Sequence, residues 1–196
     1  MQPFRIVLAS MLLWCAVVCR VQGGALVQPK ILEPAEGVFA KGKRSQILVG
    51  ANLQKTAPQV VSALKPLIAW LGGAKKATPP QSLPDTPYLL VGLTTDHTAL
   101  QQLRDGWNTK LPMNGLGEEG YLLDITPQHI HLTAERPAGV LYGILYLLSQ
   151  LESKAYEVGI PAVKLADWAT LRWRGMHLLV NGRQDIPALE QLIKEY

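Results

Sequence analysis

Cysteine is almost missing from this sequence, and the two present, Cys15 and Cys19, both lie close to its start. The remaining chain therefore offers neither a disulfide nor a thiol nucleophile, and its stability has to come from packing. Phenylalanine occurs twice, and charged residues make up only 17 % of the chain. There is no HExxH zinc motif and no glycine-rich phosphate loop. No basic stripe with interleaved aromatics is present, which argues against a nucleic-acid partner. What is abundant is apolar material, at 48 % of residues, enough for one folded domain and a remainder.

The first residues, MQPFRIVLASMLLWCAVVCRVQGGA, combine Arg5, an apolar run from Ile6 to Cys19 and small residues behind it. This is the pattern of a secretory signal over residues 1–24, with a mature start near Gly24 or Ala25. The apolar run is short for a bilayer at about 1.5 Å per helical residue, so a permanent membrane span is not expected. AVVC lacks the small residue that should precede a lipidated cysteine, so the expected location is periplasmic or extracellular without a lipid anchor. Arg5 and Arg20 leave with the signal, reducing 19 basic residues to 17 against 15 acidic ones. The exported part is nearly neutral.

From residue 25 to about 166 strand-like and helix-like stretches alternate, the pattern of a mixed α and β domain. SQILVG reads as a strand, and TAPQVVSALKPLIAWLGG as a helix capped by Thr56, ended by Gly72 and Gly73, and kinked or shortened at Pro66. KKATPPQSLPDTP reads as a surface loop leading to the strand YLLVGL. HTALQQLRDG reads as a second helix and NTKLPMNGLGEEG as loop. In EGYLLDITPQHIHLTA, Tyr121, Leu123 and Ile125 share one strand face, Ile130, Leu132 and Ala134 share a face of the partner, and Pro127-Gln128 makes the turn. ERPAGVLYGILYLLSQL is a helix apolar almost all round. Gly139 and Gly143 stand on one side of it, where another backbone should approach closely, and burial between two layers is expected.

Few residues carry chemistry. His129 and His131 alternate onto one strand face and could approach a metal together, but no third ligand stands near in sequence, so a solvent-facing strand edge is expected and no metal site is assigned. Glu118-Glu119, Asp96 with His97, and Asp124 near the histidines are carboxylates without an accompanying nucleophile, so no catalytic residue is assigned in this chain. No cofactor is expected.

In order along the chain, Tyr121, the hairpin to Ala134, Ala138-Gly139 with Tyr142-Gly143, Asp167 and Arg174-Gly175 resemble the front of family 20 glycoside hydrolases, the β-N-acetylhexosaminidases. The resemblance is strong over about residues 120–180 and looser at VQPKILEPAEGVF. It implies an α+β fold with a zincin-like sheet and helices on one face over residues 25–166, packed through its last helix on the chain's own barrel. Residues 167–196 would then be the first strand and helix of a (β/α)8 barrel, cut off before its later strands.

The resemblance also implies hydrolysis of terminal N-acetylhexosamine from glycans, with the substrate's acetamido oxygen attacking the anomeric carbon. The carboxylates that assist belong to later barrel strands, so the chain by itself is expected to be inactive. Arg174 takes the position that holds sugar hydroxyls, a task suited to five donors in a planar fork. Leu179 stands where an Asp is expected and Arg183 is displaced, implying altered sugar recognition or lost catalysis. The other readings are a hyaluronidase-like or glucuronidase-like glycosidase and a non-catalytic, carbohydrate-associated exported module.

Overall fold

The computed structural model describes residues 29–41, 45–73, 76–151 and 158–170. The expected signal, the Arg174 position and the expected barrel strand and helix lie outside the described residues. Along the chain run β1 (Ile31–Ala40), β2 (Gln46–Val49), α1 (Ala51–Thr56), α2 (Pro58–Ser62), α3 (Lys65–Trp70), β3 (Lys76–Ala77) and β4 (Tyr88–Leu93). Then come α4 (Thr98–Gly106), β5 (Tyr121–Ile125), β6 (His129–Ala134), α5 (Pro137–Leu151) and β7 (Gly159–Asp167).

Among the described residues, seven strands form one mixed sheet in the order β1-β7-β5-β6-β4-β2-β3. β1, β7, β5 and β6 pair antiparallel, whereas β6, β4, β2 and β3 pair parallel. β6 is thus the seam between an antiparallel half and a parallel half. The β5–β6 hairpin follows its alternation: Tyr121, Leu123 and Ile125 join Ile130, Leu132 and Ala134 in the main core. Each fully buried aliphatic side chain of this kind contributes about 1.5–3 kcal/mol. Thr126 closes the turn, its hydroxyl oxygen accepting the amides of Gln128 at 3.2 Å and His129 at 3.0 Å.

The expected single helix after β2 is three short ones. Pro58 and Pro66 each lack an amide hydrogen and sit in the first turn of a new helix, where no partner is needed. Thr56 does not start a helix; it ends α1, its hydroxyl donating back to the Asn52 carbonyl at 2.7 Å. Val60, Val61, Leu64, Leu67 and Leu71 are nonetheless all buried, because the breaks preserve one inward face. Gly72 and Gly73 close the segment with φ of 77° and 82°. Part of the expected loop after it is strand, since Lys76–Ala77 extends the sheet beside Ile47 and Leu48.

Helices cover both faces of the sheet, not one. α1, α2, α3 and α5 share the main core, with Leu53, Leu64, Val140 and Ile144 against Val49, Leu89 and Leu123. α4 lies on the other face, where its Leu100 packs with Leu48, Tyr88 and Leu90. The reason is in β4: YLLVGL has no polar alternation, so a parallel strand with both faces apolar requires cover on each side.

Candidate functional site

The core face presents helix α5. Its Gly139 and Gly143 meet the β5–β6 hairpin closely: a Cβ on Gly139 would stand 2.2 Å from the Gly120 carbonyl oxygen, and one on Gly143 would stand 2.2 Å from Leu132 Cδ1. Ala138, Tyr142 and Leu145 face away from the sheet, the last two 41 % and 47 % exposed. So α5 is buried by this domain on one side, and its outer side is an apolar surface.

At the end of β7, Asp167 pairs in register with Tyr121. Burial raises the Asp167 carboxyl, partly offset by hydrogen bonds from the amides of Trp168 and Lys30. The buried Tyr121 phenol is pushed up by burial, then by Asp167 and Tyr146. Arg174, expected to hold sugar hydroxyls, lies outside the described residues.

The opposite face holds a polar row across the strands. In register, Glu33 of β1 stands beside Lys164 of β7, Lys164 beside Asp124 of β5, and Asp124 beside His131 of β6. His129 Nε2 lies 3.8 Å from Asp124 Oδ2. The two imidazoles stack with centroids 3.9 Å apart and planes at 18°. His131 Nε2 is hydrogen-bonded to the Tyr88 hydroxyl at 3.0 Å. Glu33, Lys164, Asp124 and both histidines line a cleft of about 390 Å³ together with α4 and Trp107.

The histidines are therefore not a solvent-facing strand edge. β6 is an interior strand, and α4 roofs its polar side, leaving His131 only 8 % exposed. Burial, then the neighbouring His129, depresses the His131 pKa to about 4. Burial pushes the Asp124 carboxyl up, but its hydrogen bond to His129 and the charges of Lys164, His129 and His131 together hold it below the usual carboxylate range. No serine, threonine or cysteine among the described residues lines the cleft. Among the described residues, no three His, Cys, Asp or Glu side chains are grouped to hold a metal ion.

Of the other groups singled out in the sequence, Asp96 and His97 have structural work. Asp96 accepts the amides of Asn52, Leu53 and Leu93, and His97 Nδ1 accepts the Ala99 amide to cap α4. Glu118 is exposed and Glu119 half-buried in the turns before β5. Sequence reasoning passed over Glu135, which pairs with Arg104 at 3.3 Å and fixes the far end of α4 to the end of β6.

A family model described as glycosyl hydrolase family 20, domain 2, matches residues 28–168. The chain belongs to this family. A search of the curated proteins found no match. Among solved structures, the family 20 domain is similar to CpGH84D, with a TM-score of 0.55 and 13 % identity over 76 % of this chain and 24 % of that one. It is similar to the exo β-N-acetylglucosaminidase of Vibrio harveyi, with a TM-score of 0.50 and 15 % identity over 86 % of this chain and 23 % of that one. The β-N-acetylhexosaminidase of Bacteroides fragilis matches at 0.48 and 18 % identity over 76 % of this chain and 25 % of that one. At these identities the first two show a shared fold. The family 20 domain spans about a quarter of the length of each of these proteins. Among its described residues no helix is long and apolar enough to cross a membrane.

Proposed function

We propose that this domain is the front of an exported glycoside hydrolase that removes terminal N-acetylhexosamine from glycans by substrate-assisted hydrolysis. The observation that carries the reading is the family 20 match across nearly the whole described sheet. The domain's part in the reaction is support. Its apolar outer α5 face, with Tyr142 and Leu145 exposed, is suited to pack on the catalytic barrel. Arg174 follows the end of β7 by a few residues and acts as the donor to sugar hydroxyls. The reacting carboxylates belong to later barrel strands, so residues 1–196 alone do not hydrolyse substrate.

The experiment is to read the coding sequence past the Tyr196 codon and assay its full product on an aryl N-acetyl-β-hexosaminide. Chromophore release is expected from that product and not from residues 1–196. Arg174→Ala should lower kcat/KM by roughly 10- to 100-fold, the loss of one or two charge-assisted hydrogen bonds. A full product inactive on every N-acetylhexosaminide tested would overturn the reading.

A further inference from the structure

The stacked histidines on β6 are not needed for the hydrolase reading, and their placement is unusual for two groups that can both carry charge. They lie at the seam of the sheet, under α4, where Tyr88 begins β4 in register with His129. We propose that His129, His131 and Tyr88 form an acid-sensitive latch, which holds the start of β4 and the α4 layer onto β6 while at most one imidazole is protonated.

The groups around the pair decide how many protons it tolerates. Among the described residues, Asp124 of β5 is the anion that approaches, 3.8 Å from His129 Nε2. Lys164 of β7 flanks that carboxylate, and Glu33 of β1 is engaged by Lys110. α4 turns Ala99, Gln102, Leu103 and Gly106 toward the cleft, none of them charged, and His97 at its cap adds only a further opposing charge when protonated. One carboxylate can balance one imidazolium. A second positive charge would sit on a ring stacked at 3.9 Å from the first, shielded from water. Protonation of His131 would also leave its Nε2 a donor only, so the contact with Tyr88 would have the phenolic oxygen accepting and its hydrogen turned elsewhere.

The direction with pH follows. His131 in the folded chain is depressed to about 4 from an ordinary value near 6.5. Between those values the opened form takes up the proton that the closed form refuses. The latch is therefore complete above about pH 6.5 and weakens steadily as pH falls toward 4. Asp124, whose folded value is depressed, keeps its charge through this window and loses it only below.

The test follows imidazole titration and amide protection factors in the 196-residue chain by NMR between pH 7.5 and 4.5. His131 should titrate below pH 5. Protection should fall at least tenfold at 88–90, 129–131 and in α4, while β1, β5 and β7 keep theirs. His129→Gln, which removes the like charge, should raise the His131 midpoint and delay the loss of protection. A His131 midpoint near 6.5, or protection lost equally in every strand, would overturn the proposal. So would a folded His129→Gln chain whose His131 midpoint is unmoved. The wild-type titration and protection pattern decide the matter without the variant if it does not fold.

Discussion

The Asp96 carboxylate accepts the backbone amide of Asn52 at 2.7 Å, 44 residues back along the chain. α1 has no side-chain cap of its own at Gly50, so Asp96 supplies one from the turn after β4. Gly50 leaves the room: a Cβ there would stand 2.2 Å from Asp96 Oδ2. The same carboxylate accepts the Leu93 amide at 2.8 Å, so one side chain joins two βα connections. Asp96→Ala should cost about 2–3 kcal/mol, since charge-assisted bonds to part-buried amides are lost together. Urea denaturation checks this; a loss under about 0.5 kcal/mol would show that the cap is idle.

The two glycines of α5 should respond differently to alanine. At Gly139 the obstacle is a backbone oxygen of Gly120, which cannot turn away, and the substitution should cost about 2–3 kcal/mol. At Gly143 the nearest obstacle is the end of the Leu132 side chain, which can change rotamer, and alanine also favours a helix by about 1 kcal/mol. Gly143→Ala should therefore be the milder change. Thermal melts of both variants should preserve that order.

Thr126→Val keeps the shape of the β5–β6 turn and removes the oxygen that accepts the Gln128 and His129 amides. A loss of about 1–2 kcal/mol is expected. Equilibrium unfolding measures it, and an unchanged midpoint would mean that water replaces the hydroxyl at no cost.

Leu145 is the counter-case. It lies on the outer face of α5, nearly half exposed, so Leu145→Glu should leave the stability of this domain within about 0.5 kcal/mol. In the longer hydrolase proposed above the same change should loosen the barrel contact and lower the thermal midpoint of the whole enzyme. Equal effects in both settings would place the contact elsewhere.

Much of the fold was legible because local patterns carried it. The alternation in Tyr121–Ile125 and His129–Ala134 fixed the inward face of both strands, and the apolar helix with Gly139 and Gly143 announced a close packing that the Gly120 carbonyl confirms. The candidate chemistry was less legible. Asp96 and His97 were assigned no chemistry, and each caps a helix: His97 caps its own, two residues away, whereas the Asp96 cap spans 44 residues and leaves no mark in either segment.

Sequence by itself determined the family, the hairpin with its inward face, and the lack of cysteine among the described residues, all of which depend on residues close together in the chain. Only the tertiary structure decided that α4 covers the second face and that His131 is buried beside Asp124 and Tyr88. Those outcomes depend on strand order. β6 becomes an interior strand only because β4, far from it in sequence, pairs parallel along its free edge, and that pairing turns an alternating polar face into an enclosed one.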